Sequence, residues 1–209
     1  MPRYIASLSG NRKGNNNNII QMVQVAILMA IIVVLQLLSY VIKIGTFNLS
    51  LVLIPIVVGA VLFGPKTGAF LGGVFSVVVI ICCATGTDVG GAILWNASPW
   101  LTALICMVKG VAAGFVAGLI AKAFKNSKAP FVGVLLAAIA APVVNTGLFL
   151  LGLSTCFYDI LVAWAGGQAV LYYIVFGLVG VNFLIEFSLN LVLSSTIASI
   201  VNAVKKTSR

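Results

Sequence analysis

The chain has 209 residues, of which 62% are hydrophobic and 7% charged, with a net charge of +9. A soluble domain carries roughly 25% charged residues, so this composition describes a small integral membrane protein without a large soluble domain, and its basic residues mark membrane topology rather than nucleic-acid binding. Histidine is absent and the acids number three, which argues against acid–base relays, two-carboxylate catalysis and most transition-metal sites.

The first 18 residues, with Arg3, Arg12, Lys13 and Asn15–Asn18, read as a short, mobile, polar cytoplasmic tail. The apolar run after it is too long for a signal-peptide core. A spanning helix needs about 20 apolar residues. Six candidates follow in order. The first is Ile19–Ile42. The second, Leu49–Phe63, contains Pro55 and is short or kinked. The third is Thr67–Cys83 and the fourth Pro99–Ala121. The fifth, Phe131–Leu153, contains Pro142. The last, about Leu171–Ala203, is long enough to be broken near Gly177–Gly180. Residues 19–204 therefore form one six-helix transmembrane domain, and 205–209 a basic cytoplasmic tail. The fold class is an all-α membrane bundle.

With the N-terminus inside, Arg3, Arg12, Lys13, Lys66, Lys122, Lys125, Lys128, Lys205, Lys206 and Arg209 fall on the inner side. Only Lys43 falls outside, beside Asp88 and Asp159. This asymmetry follows the positive-inside rule and places both termini in the cytoplasm. The inner loops are short. The outer connections, Thr85–Trp100 and Ser154–Val170, are longer and carry Trp95, Trp100 and Trp164. Those aromatics fit an interfacial belt or a lid over an outward-facing pocket.

Gly110, Gly114 and Gly118, with Gly68 and Gly72, have the spacing that lets helix backbones approach closely. None of the four cysteines forms a CxxC motif, and Cys82, Cys83 and Cys106 read as small apolar packing residues.

Lys109 and Glu186 lie inside hydrophobic stretches, where a charge costs about 2.5–3.5 kcal/mol on insertion scales. Lys109 stands 13 residues above Lys122, roughly 20 Å from the inner edge. Asn145 and Asn190 reach similar heights. Asn182, Glu186 and Asn190 form one stripe at i, i+4, i+8, and Gln36 reaches a comparable level. Either Lys109 and Glu186 form a structural ion pair, or these groups build a solute site; a pair that opens around a ligand satisfies both.

The chain lacks a Walker A motif, an NPA pair and a TVGYG-like filter, so it neither hydrolyses ATP itself nor matches a known pore. Without a visible internal repeat it fits poorly with an ordinary secondary transporter. A solute site without an engine suggests a binding subunit that borrows one; a stand-alone channel or facilitator is the alternative.

From Gln21 onward the sequence resembles the substrate-binding S components of energy-coupling factor (ECF) vitamin transporters. The resemblance is carried by the first-helix segment Ala26–Ala30 (AILMA), by the run Asn48–Ala69, and by Ser98-Pro99, Lys109-Gly110 and Asn145-Thr146. It implies a bacterial plasma-membrane subunit that is not an enzyme and holds no cofactor or metal. Its partners would be a water-soluble vitamin, a transmembrane coupling protein docked on Ala26 and Ala30, and two cytoplasmic ATPases that use the ATP. The expected ligand residues are Lys109, Asn145, Glu186, Asn190 and Gln36, with Trp95, Trp100 or Trp164 covering a ring. A small anionic vitamin such as pantothenate is favoured, with riboflavin or a pyridoxine-like compound as alternatives.

Overall fold

The computed structural model describes residues 2–40, 43–44, 47–48, 51–125, 130–179, 187–188, 191–192 and 199. Helix α1 is Pro2–Ser39. A two-residue antiparallel pair follows, β1 Lys43–Ile44 and β2 Phe47–Asn48. Then come α2 Leu53–Phe63, α3 Pro65–Thr85, α4 Val89–Ala97, α5 Pro99–Ala123, α6 Pro130–Cys156, α7 Tyr158–Ala165 and α8 Val170–Tyr172, the last continuing as a π-helix, Tyr173–Val179. Among the described residues the fold is therefore all-α apart from one strand pair.

Among the described residues, four helices are long and apolar enough to cross a membrane, or five if α7 and the segment from Val170, bent by 85°, make one span. The six expected spans are not all represented there. With 11 residues, α2 is about 16 Å long, half of a hydrocarbon core of about 30 Å. Most of the expected sixth helix, including Asn182, Glu186 and Asn190, lies outside the described residues. Helix α1 begins at Pro2, so the segment expected as a polar tail is helical. Once a long apolar helix exists, adding a residue fixes one more backbone hydrogen bond, so propagation into a polar stretch avoids the cost of nucleation.

The half-length α2 sits at the centre. Val52, Leu53, Ile56 and Val57 are fully buried, and Leu71, Phe75 and Val79 of α3 pack around them with Ile32 of α1. Pro55 falls in the first turn of α2, where its missing N–H breaks no helical bond, so it shortens the helix rather than kinking it.

Two glycine-rich faces bring α3 and α5 together antiparallel. A Cβ at Gly68 would strike the Gly114 carbonyl, and one at Gly72 the Gly110 carbonyl. A Cβ at Gly118 would strike Pro65. One turn beyond Gly72, the Ser76 hydroxyl lies 2.9 Å from the Gly72 carbonyl oxygen and 2.7 Å from that of Cys106. The expected close-packing role of these glycines holds, and Ser76 extends the seam.

The turn from α2 to α3 is a single residue, Gly64, with φ 92° and ψ −179°. Only glycine adopts that region readily. Pro65 then starts α3 with its φ already helical. No atom lies within 4 Å of where a Gly64 Cβ would go, so a substitution there meets a backbone penalty alone. Gly64→Ala is expected to destabilise the protein by about 1–3 kcal/mol, read as a lower thermal midpoint in detergent with ligand binding retained at low temperature.

The two expected outer loops are largely helical. Asp88 caps α4, its carboxylate accepting the Gly91 N–H at 3.0 Å. Leu94 of α4 packs with Leu153 and Phe157 at the end of α6 and with Leu161 of α7. This second apolar cluster closes the end of the bundle opposite Lys66 and Lys122.

Candidate functional site

Lys109 lies on α5, half-buried, with Cys106 one turn away. Its Nζ stands 4.6 Å from the centroid of the Phe149 ring. Phe149 and Asn145 are four residues apart on α6 and share one helix face. Asn145 is 9% exposed, and its Oδ1 has no hydrogen-bond partner. A cation thus lies over an aromatic face at the α5–α6 seam, with an open carbonyl acceptor one turn away on α6. Among the described residues, Lys109 forms no ion pair.

The energetics favour a further partner here. An ammonium over an aromatic face gains about 0.5–2 kcal/mol. Placing the charge at this depth costs about 2.5–3.5 kcal/mol. The ring therefore offsets only part of the cost. An unpaired buried carbonyl at Asn145 adds about 1–3 kcal/mol. An anion with a donor beside it would relieve both.

A second polar cluster lies at the end of α1. Gln36 is 4% exposed and donates from Nε2 to the Tyr40 hydroxyl at 2.9 Å. Its Oε1, like Asn145 Oδ1, has no partner. Ser39 donates to the Gln36 backbone carbonyl at 2.7 Å. Cys82 of α3 lies beside the phenol. Gln36 thus stands nearer the mouth closed by α4 than Lys109 does. Between the clusters, the Cys83 and Cys106 thiols face each other across α3 and α5, both free.

The three tryptophans separate. Trp95 of α4 packs on the main core, and Trp164 of α7 on the second apolar cluster. Trp100, at the start of α5, is 86% exposed, as an interfacial belt residue is. Ala26 and Ala30 are exposed on α1, flanked by exposed Val23, Ile27 and Val34. Glu186 and Asn190 lie outside the described residues.

Phe149 and Tyr40 were missed in the sequence. Each follows a membrane-buried amide by four residues, Asn145 and Gln36, and that repeated amide–aromatic spacing was the available signal.

A family model described as the substrate-specific component of ECF transporters matches residues 20–198. The chain belongs to this family. No curated protein and no solved structure matches it. An S component of this kind is a membrane-embedded subunit that binds a small-molecule substrate and works with the other subunits of an ECF importer. It is a transporter subunit, not a member of an enzyme family. The apolar helices fit a multi-pass membrane protein.

Proposed function

We propose that this S component captures a water-soluble, small anionic vitamin, with pantothenate as the leading candidate and riboflavin or a pyridoxine-like compound as alternatives. The observation that carries this reading is Lys109, a cation at membrane depth whose described partner is an aromatic ring. Asn145 and Gln36 supply polar contacts, and Trp95 and Trp164 stand close enough to the bundle end to cover a ligand. Glu186 and Asn190, outside the described residues, are the further ligand groups of this reading. In this reading the chain crosses a bacterial plasma membrane six times, with both termini cytoplasmic. It holds no cofactor or metal and binds no nucleic acid.

Transport then depends on partners. Ala26 and Ala30 leave a shallow groove on the exposed face of α1, which suits a close-packed helix of the coupling protein. Two cytoplasmic ATPases supply the energy. Proteoliposomes holding the chain with coupling protein and ATPases are expected to take up radiolabelled pantothenate only with ATP. Vesicles holding the chain alone are expected to take up none; uptake there would instead support a facilitator. The A26L/A30L double variant should lose co-purification with the coupling protein and lose uptake, while keeping full ligand binding.

A further inference from the structure

We infer that the ligand is an anion that also carries an N–H or O–H donor, and not an anion built of acceptors alone. This rests on the proposed role of Lys109 as the ligand's anion partner and refines the substrate class of that site.

The described residues hold two buried side-chain atoms without a hydrogen-bond partner, Asn145 Oδ1 and Gln36 Oε1. Both are carbonyl oxygens, which accept and cannot donate. Gln36 has already committed its amide nitrogen to the Tyr40 hydroxyl, so the end left open is again the acceptor. Asn145 shares its helix face with Phe149, whose ring lies under the Lys109 ammonium. The place for an anion and the place for a donor are therefore within one helical turn of each other.

A bare carboxylate would satisfy Lys109 and leave both amide oxygens unpaired in an apolar interior. A hydroxy- or amido-acid satisfies the cation and at least one amide together. A site built to receive a donor rejects analogues that lack it, because its own polar group is stranded. The expected preference is on the order of 10- to 100-fold.

Equilibrium binding to the purified full chain tests this with four carboxylate probes. Pantothenate and biotin carry N–H or O–H donors; nicotinate and lipoate carry none. The tightest binder is expected to be a donor-bearing acid, at least 10-fold tighter than either donor-free acid. In Asn145→Leu that advantage should shrink, because the affinities for pantothenate and biotin fall toward those for nicotinate and lipoate. Equal or tighter binding of a donor-free acid by the wild-type protein overturns the inference and leaves the anionic-vitamin reading standing. Binding of none of the four overturns that reading and the inference with it. The wild-type comparison decides the matter even where the variant fails to fold.

Discussion

Lys109→Met is expected to weaken binding of an anionic ligand by at least 30-fold, since losing one partner of a buried charge pair costs about 2–5 kcal/mol. Methionine keeps much of the stem's volume and removes the charge with its three N–H donors. A neutral analogue of the same ligand, such as pantothenol in place of pantothenate, should lose far less. Titration calorimetry of both ligands on both proteins checks the difference. Equal losses for the acid and the alcohol would reduce Lys109 to a structural residue. The ligand-free protein supplies a second readout of opposite sign. Phe149 offsets only part of the cost of burying the ammonium, so Lys109→Met should leave the unliganded protein as stable or more stable. A structural Lys109–Glu186 pair requires the reverse, because stranding one member of a buried pair costs about 3–5 kcal/mol.

Gly72→Leu is expected to have the largest effect on stability. A side chain at Gly72 meets the backbone of α5, with the Gly110 carbonyl carbon 2.7 Å and the Val111 nitrogen 3.2 Å from the new Cβ. Backbone cannot rotate away as a side chain can, so α3 and α5 must separate. Separation also breaks the Ser76 contact with the Cys106 carbonyl. Overpacking of a well-filled core typically costs about 1–3 kcal/mol, and a clash against backbone belongs at or above the upper end. Thermal unfolding in detergent should show a large fall in midpoint for Gly72→Leu and little change for Gly73→Leu. Gly73 is the control because its nearest neighbour is a movable Val111 methyl at 3.7 Å. A similar fall for both would mean that α3 and α5 do not pack through the Gly72 face.

The parts of the fold legible in the sequence are those where composition alone restricts geometry. Glycines every fourth residue identify a helix pair before either helix is located, and Gly64-Pro65 marks a turn that few other residue pairs can make. Helices α4 and α7 were hidden for a related reason. Each is under 10 residues, and Gly90-Gly91 lowers helix propensity just where Asp88 caps α4. Their stability comes from Leu94 and Leu161 packing on the end of α6, a tertiary effect that periodicity does not carry.

The site was legible to the level of depth and no further. Counting residues put Lys109 and Asn145 at one height, and Phe149, one turn from Asn145 on α6, lies under the Lys109 ammonium. Depth says nothing of direction, however, and the three tryptophans differ by direction alone: Trp95 and Trp164 pack inward while Trp100 faces out. Nor could the sequence tell which amide atoms are left open. That depends on Tyr40 taking the Gln36 nitrogen and on Phe149 occupying the space beside Lys109.

Native mass spectrometry of the purified protein tests the central claim most directly, because a tightly held substrate survives gentle extraction. The wild-type chain is expected to carry one small organic acid that dissociates on activation, and Lys109→Met, prepared in parallel, to lack it. A wild-type protein that shows only its own mass, even after incubation with pantothenate, biotin, nicotinate and lipoate, would contradict the account of Lys109 as the anchor of a ligand site.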